Sequence, residues 1–432
     1  MSTPDSPGPK ANTEANKAPN AIVTMGLIGL LFFVFGFVTW LNGPLITFVK
    51  YAFDLDNVGA FMVLMVFYMS YFVLALPSAA ILKLTGMKKG MALGLLVMAA
   101  GAVMFGQFAT HRVYVGAMTG LFTIGAGLAL LQTAANPYIS IVGPIESAAQ
   151  RIAVMGIFNK LAGIAAPFVF GTLVMSGITE FGAELNAASD PAAREALLNG
   201  FAQKVLWPYM GMAALLALLA LFVLKSPLPE IKGESKAEAL SAKGGKGLFA
   251  HPNLFFGVLC IFLYVGVEVM AGDAIGTYGA AFGLPVDQTV LFTSWTLGGM
   301  LVGYLIGWVL IPRFVSQEKY LAFSAVLAIV FVLGAFLTKD YISVGFVAAL
   351  GFANAMMWPA IFPLGIRGLG RHTEIGSALM VMGICGGAIL PRLYVGLAEI
   401  VHFQTAFLCV MIPAYIYIMF FALFGSRVAV KA

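Results

Sequence analysis

The sequence predicts an all-α integral membrane protein whose twelve transmembrane helices form two pseudo-symmetric six-helix bundles. Three observations carry that prediction. Hydrophobic residues make up 61% of the 432-residue chain and charged residues only 10%, against roughly 25% charged in a typical soluble chain. The apolar residues come in continuous runs of about twenty or more, enough to cross a hydrocarbon core of roughly 30 Å as helix. The runs also divide evenly about one long polar segment, 226–253, rich in Lys, Glu, Gly, Ser and Ala, a composition that behaves as a flexible linker.

The runs place spans at 21–50, 58–82, 91–109, 113–142, 152–175 and 205–224, then at 254–282, 289–311, 320–337, 341–366, 375–400 and 403–425. The expected organisation is therefore a disordered N-terminal tail (1–20), a first bundle (21–225), the linker (226–253), a second bundle (254–425) and a short tail (426–432). The runs are continuous rather than alternating, so they lack the pattern of an outer-membrane barrel. Residues 1–20 hold no apolar core, which argues against a cleavable signal ahead of the first span. The loop 176–204 is polar and mildly acidic, with a short surface helix expected around 191–200.

Orientation follows from the cations. With both termini on one side, that side carries seventeen Lys and Arg in its loops and tails and the other carries five, namely Lys50, Arg112, Arg194, Lys204 and Lys339. The positive-inside rule then puts both termini in the cytoplasm of a plasma membrane, a bacterial inner membrane. The net charge of +5 reads as topology, and no nucleic-acid partner is expected. Cys260, Cys385 and Cys409 fall inside apolar spans, where cysteine packs as a small hydrophobe. His111, His251, His372 and His402 have no metal-ligand spacing on one helix. With no phosphate-binding Gly-Lys-Ser/Thr loop either, neither ATP-driven transport nor enzyme chemistry is expected, and no cofactor.

The halves carry traces of one pattern. Val154-Met155-Gly156-Ile157 in the fifth span returns as Val381-Met382-Gly383-Ile384 in the eleventh. Pro137 in the fourth span matches Pro359 in the tenth, each preceded five residues earlier by an amide, Gln132 and Asn354. Such duplication is how many transporters build a site near the membrane midplane between two rocking halves.

Nearly all acids lie in tails, loops or span ends. Glu268 and Asp273 in the seventh span are the exceptions, and Lys160 in the fifth is the clearest buried cation. A charge in hydrocarbon costs at least ~2.5–3.5 kcal/mol on insertion scales, so such residues usually face a cavity or a partner. Glu268 and Lys160 lie at similar depths, and a pair between them would join the two halves. Asp273 is five residues on, about 140° round the helix, and belongs to a different surface. Uncharged groups form a second set. Gln132, Asn136 and Ser140 follow i, i+4, i+8 in the fourth span, Asn354 and Trp358 follow i, i+4 in the tenth, and Asn42 and Asn159 add amides to the first and fifth. Amides beside aromatic rings suit a neutral polyhydroxylated ligand; taken singly, each amide also fits ordinary helix–helix hydrogen bonding. Trp40, Tyr264, Trp295 and Tyr304 are the candidate stacking rings. Pro137, Pro167, Pro359, Pro363 and Pro391 are candidate kinks, and Gly383, Gly386 and Gly387 read as close packing.

At these residues the chain resembles the fucose:proton symporter family of the major facilitator superfamily. The resemblance runs over nearly the whole chain. It is sharpest at Gly127-Leu128-Ala129-Leu130-Leu131-Gln132-Thr133-Ala134-Ala135-Asn136-Pro137-Tyr138, Phe158-Asn159, Tyr264-Val265-Gly266-Val267-Glu268 and Pro359-Ala360-Ile361-Phe362-Pro363-Leu364-Gly365-Ile366. Within that family it is similar to bacterial glucose/galactose and N-acetylglucosamine transporters. The resemblance implies the major facilitator fold and uptake of a monosaccharide together with a cation. Two departures bear on coupling: Gly43 and Gln132 stand where the fucose carrier has carboxylates. Lys83 likewise stands in the loop after the second span where the superfamily usually has an acid. Glu268 resembles the glutamate of the glucose/galactose subgroup, which includes sodium-coupled members.

The reading that follows is a monomeric importer of a monosaccharide. Asn42, Gln132, Asn136, Asn159, Lys160, Glu268, Asn354 and Trp358 are its candidate substrate-binding residues, and Glu268 and Asp273 its candidates for coupling to Na+ or H+. Na+ at one of those acids is the one metal the sequence admits. An uncoupled facilitator is the alternative, with Lys160 permanently neutralising Glu268. A metabolite exporter ranks third.

Overall fold

The computed structural model describes residues 21–141, 148–228, 248–311, 313–369 and 372–427, and its regular structure there is entirely helical. Eleven helices are individually long and apolar enough to cross a membrane. Asp340–Asn354 and Met357–Ile366, bent by 40° at a short break, form the tenth span in chain order and bring the count among the described residues to twelve. An even number of spans returns both chain ends to one face, the terminal face; the other is the opposite face.

The pseudo-symmetry is visible in which spans touch. In the first bundle the first span packs on the fifth, the second on the fourth, and the third on the fourth and sixth. In the second bundle the seventh packs on the eleventh, the eighth on the tenth, and the ninth on the tenth and twelfth. Adding six to each number converts one set into the other. The two bundles meet through the fifth and eighth spans and through the second and eleventh, and exchanging the halves converts one contact into the other. Small residues make the close contacts, as expected where lipid supplies no hydrophobic drive between helices. A Cβ on Gly94 would lie 2.8 Å from the carbonyl oxygen of Gly127 across the third–fourth span interface. One on Gly387 would lie 3.0 Å from the Tyr68 ring, across the bundle interface.

Four spans that the sequence presents as continuous are interrupted. The first divides into Ala21–Trp40 and Asn42–Ala52. Pro44 has no N–H to give the carbonyl of Trp40 and its ring crowds that oxygen, so the ladder breaks there. The tenth breaks at Ala355–Met356, four residues before Pro359, for the same reason. The seventh divides into Pro252–Gly272 and Ile275–Ala280. Its freed carbonyls are satisfied from the eighth span: Thr296 Oγ1 donates to Ala271 O at 2.7 Å and Thr293 Oγ1 to Gly272 O at 2.8 Å. Irregular backbone at membrane depth needs such partners. The eleventh carries a 3-10 turn, Gly383–Cys385, between Thr373–Met382 and Gly386–Ala398.

The loop on the opposite face holds two helices, Ile178–Ala187 and Pro191–Gln203, rather than the single one expected. Asp190 caps the second by accepting from the N–H groups of Ala192 and Ala193, with Pro191 at its first position. Arg194 forks onto both carboxylate oxygens of Asp54, at 2.8 and 2.9 Å, and Arg112 pairs with Glu195. The Arg194–Asp54 side chains are 35% and 47% exposed, so Arg194→Ala is expected to cost under about 1 kcal/mol in a thermal-unfolding measurement.

Candidate functional site

Between the bundles lies a cavity of about 130 Å³. The first span supplies Phe32, Phe35, Thr39 and Trp40; the second, Tyr68 and Tyr71; the fourth, Gln132; and the fifth, Ile152, Gly156, Asn159 and Lys160. The second bundle supplies Tyr264, Val265, Glu268 and Val269 from the seventh span, Tyr304 from the eighth, Trp358 and Pro359 from the tenth, and Ile384 from the eleventh. Polar atoms thus sit among eight aromatic rings.

One ion pair crosses the cavity. Lys160 Nζ lies 3.0 Å from Glu268 Oε1, with the side chains 6% and 13% exposed. The ammonium also sits 4.3 Å from the centre of the Trp40 ring, a cation–π contact of about 0.5–2 kcal/mol. The Trp40 indole N–H donates to Asn159 Oδ1 at 3.2 Å. Trp40, Asn159, Lys160 and Glu268 therefore form one connected group. Gly156 leaves room for Tyr304, since a Cβ there would come within 2.6 Å of the Tyr304 ring.

Gln132 Nε2 donates to the Tyr71 hydroxyl at 2.9 Å on the first-bundle wall. On the second-bundle wall the Tyr264 and Trp358 rings lie 6.5 Å apart, and Trp358 stacks on Phe362 at 5.6 Å. Thr39 Oγ1, on a residue that lines the cavity, is buried without a hydrogen-bond partner.

The other candidates lie elsewhere. The i, i+4 spacing of Asn354 and Trp358 places them on one face only in an unbroken helix. The break between them turns Trp358 into the cavity and leaves Asn354 fully buried, accepting from the Tyr415 hydroxyl at 2.9 Å. The side chains of Asn136 and Ser140 fall outside the described residues. Asn42, 2% exposed, lies just past the first-span break and outside the lining, its Nδ2 unpartnered. Trp295 is 47% exposed and packs on Phe292, away from the cavity. Asp273 is also outside the lining, but the Tyr68 hydroxyl donates to its Oδ2 at 3.3 Å. Tyr68 and Tyr71 were not singled out from sequence; two tyrosines three residues apart on one face of an otherwise apolar span are the signal that would have found them.

Every lining residue lies on the terminal side of the first- and seventh-span breaks, or level with them. Beyond the breaks the bundles close on each other. Gly43 abuts Thr293 and Asp273, Ser294 Oγ donates to Ile164 O at 2.8 Å, and Thr179 Oγ1 donates to Asp287 Oδ1 at 3.2 Å.

Two symmetry-related bundles sealed on one side of a central polar chamber can expose that chamber to each side in turn by rocking, which defines a secondary transporter. Sequence comparison agrees and is more specific: the Major Facilitator Superfamily model matches residues 28–391, and the chain belongs to that family. It is 34% identical to a glucose/galactose transporter of Brucella abortus biovar 1 (strain 9-941), over 96% of this chain and 97% of that one. It is 30% identical to the L-fucose-proton symporter of Escherichia coli (strain K12), over 87% of each. Among solved structures it resembles a Major Facilitator Superfamily transporter, FucP, in the outward conformation. The TM-score is 0.75 at 27% identity, covering 94% of this chain and 99% of that chain.

Proposed function

We propose that this chain imports a monosaccharide of the glucose/galactose or N-acetylglucosamine type by alternating access, together with a coupling cation, as a monomer in a bacterial inner membrane. The observation that carries the reading is the Lys160–Glu268 pair at 3.0 Å, set among amides and aromatic rings where the two bundles meet. Sugar hydroxyls exchange hydrogen bonds with Gln132, Asn159, Lys160 and Glu268, and the C–H face of the ring packs on Trp358 or Trp40. Asn42 and Asn136 complete the candidate set from outside the described lining, while Asn354, buried against Tyr415, drops out of it. Glu268 and Asp273 are the acids available for coupling. The cation excess on the terminal face supports a cytoplasmic location for that face. The cavity is well below the roughly 300–1,000 Å³ of drug-sized ligand pockets, which favours a small solute over a bulky exported one.

The test is uptake of labelled glucose, galactose, fucose and N-acetylglucosamine into proteoliposomes under imposed sodium or proton gradients. Accumulation driven by one gradient supports symport, and no uptake of any sugar removes the substrate class. Trp358→Ala is expected to raise KM about tenfold, equivalent to ~1.4 kcal/mol, with less effect on kcat. An unchanged KM would place the sugar elsewhere. One observation favours an uncoupled facilitator: Glu268 already holds a cation. Uptake that stops at equilibrium under either gradient would establish that alternative.

A further inference from the structure

Asp273 stands at the break of the seventh span, where the two bundles close on the opposite face. It is 1% exposed. Its Oδ2 accepts one long hydrogen bond, from Tyr68 at 3.3 Å, and its Oδ1 lies against Gly43 of the first span, whose backbone N–H is its nearest donor. It makes no ion pair among the described residues. The ionisable groups that act on it are Tyr68 from the second span, Lys160 from the fifth and Glu268 on its own span. Lys160 and Glu268 already hold each other. The first span brings Gly43 against it, and Gly43 in turn abuts Thr293 of the eighth; neither ionises. A carboxylate buried without a paired counter-charge is costly.

The geometry points to Asp273 as the proton-binding latch of the gate on the opposite face: the bundles close there only over its neutral carboxyl. The inference rests on the proposed symport and names its ion and its group. In the state open to the opposite side, a hydronium ion gives its proton to the carboxylate and leaves as water. The neutral group is then covered as Gly43 closes on Thr293 and Asp273. Tyr68 is shared, since its ring lines the cavity while its hydroxyl touches Asp273. The proton leaves past Tyr68 to water on the terminal side. An ionised, unpaired Asp273 then favours reopening.

The test needs no sugar, so its failure is distinguishable from failure of the sugar reading. Spin labels at exposed Glu184 and Ala281, on the two bundles at the opposite face, report closure in full-length protein in nanodiscs with the native cysteines replaced. The closed, short-distance population is expected to dominate at pH 5 and to give way to longer distances at pH 9. Asp273→Asn should stay closed at both pH values. Asp273→Glu should keep the shift with a displaced midpoint, which decides the matter if the Asn variant does not fold. A pH-independent distribution in the parent protein overturns the proposal. So does an Asp273→Asn variant that follows the parent, or closure driven by sodium at fixed pH.

Discussion

Replacing Lys160 with Ala is expected to abolish sugar uptake and to destabilise the protein, with stability but not uptake returning when Glu268→Gln is added. The reason is the setting of the pair. Glu268 is 13% exposed and Lys160 Nζ is 3.0 Å away, so removing the lysine strands a buried carboxylate. Breaking one side of a buried pair typically costs 3–5 kcal/mol, a large fraction of a total stability of about 5–15 kcal/mol. The double variant removes both charges and with them that penalty. It cannot restore transport, because the cavity then loses both its charged hydrogen-bonding groups and Trp40 loses the cation over its face. Thermal unfolding of purified protein alongside proteoliposome uptake separates the two effects. If the single variant melts and transports like the parent, the pair has no role in either.

The second large effect is expected at Gly43, and it falls on motion rather than folding. A Cβ there would sit 2.5 Å from Thr293 Oγ1 and 3.3 Å from the Asp273 Cα. The neighbours a Cβ would meet first belong to the other bundle, so a larger side chain obstructs closure of the opposite face. Gly43→Val should therefore fold and reach the membrane, yet hold the chamber open to the opposite side and reduce uptake at least about a hundredfold, an energetic penalty near 2.8 kcal/mol. Accessibility of a cysteine placed at Thr39 to an impermeant thiol reagent added on the opposite side reads the trapped state. Normal uptake by this variant would mean that the first and seventh spans do not need to meet in the cycle.

The span count and the two-bundle plan were legible because hydrocarbon imposes them: twenty apolar residues per crossing is a length that composition alone reveals. The breaks were less legible. Pro359 marked one of them in advance and Pro44, not singled out from the sequence, explains another, but the seventh span breaks at Gly272–Ala274, where no proline stands and hydroxyls from the eighth span take up the freed carbonyls. Within the site, single charges in apolar runs stood out, so Lys160, Glu268 and Asp273 were found. Tyr68 and Tyr71 did not stand out, since tyrosine is ordinary in a membrane helix and its importance comes from Gln132 and Asp273 lying opposite. Asn354 misled for the converse reason: its spacing to Trp358 matched a helix face that the chain does not keep.

The one-sided cavity has an electrical consequence. Where water fills the chamber from the terminal side, the potential of that compartment reaches inward to the level of the two breaks, and the membrane voltage then falls mainly across the plug formed by Gly43, Thr293 and Asp273. Moving an elementary charge through such a drop is worth about 2.3 kcal/mol per 100 mV. A carrier with a protonated Asp273 rearranges without moving that charge. The same carrier returning empty and ionised moves one negative charge through the whole drop, so a voltage negative on the terminal side speeds recovery more than delivery.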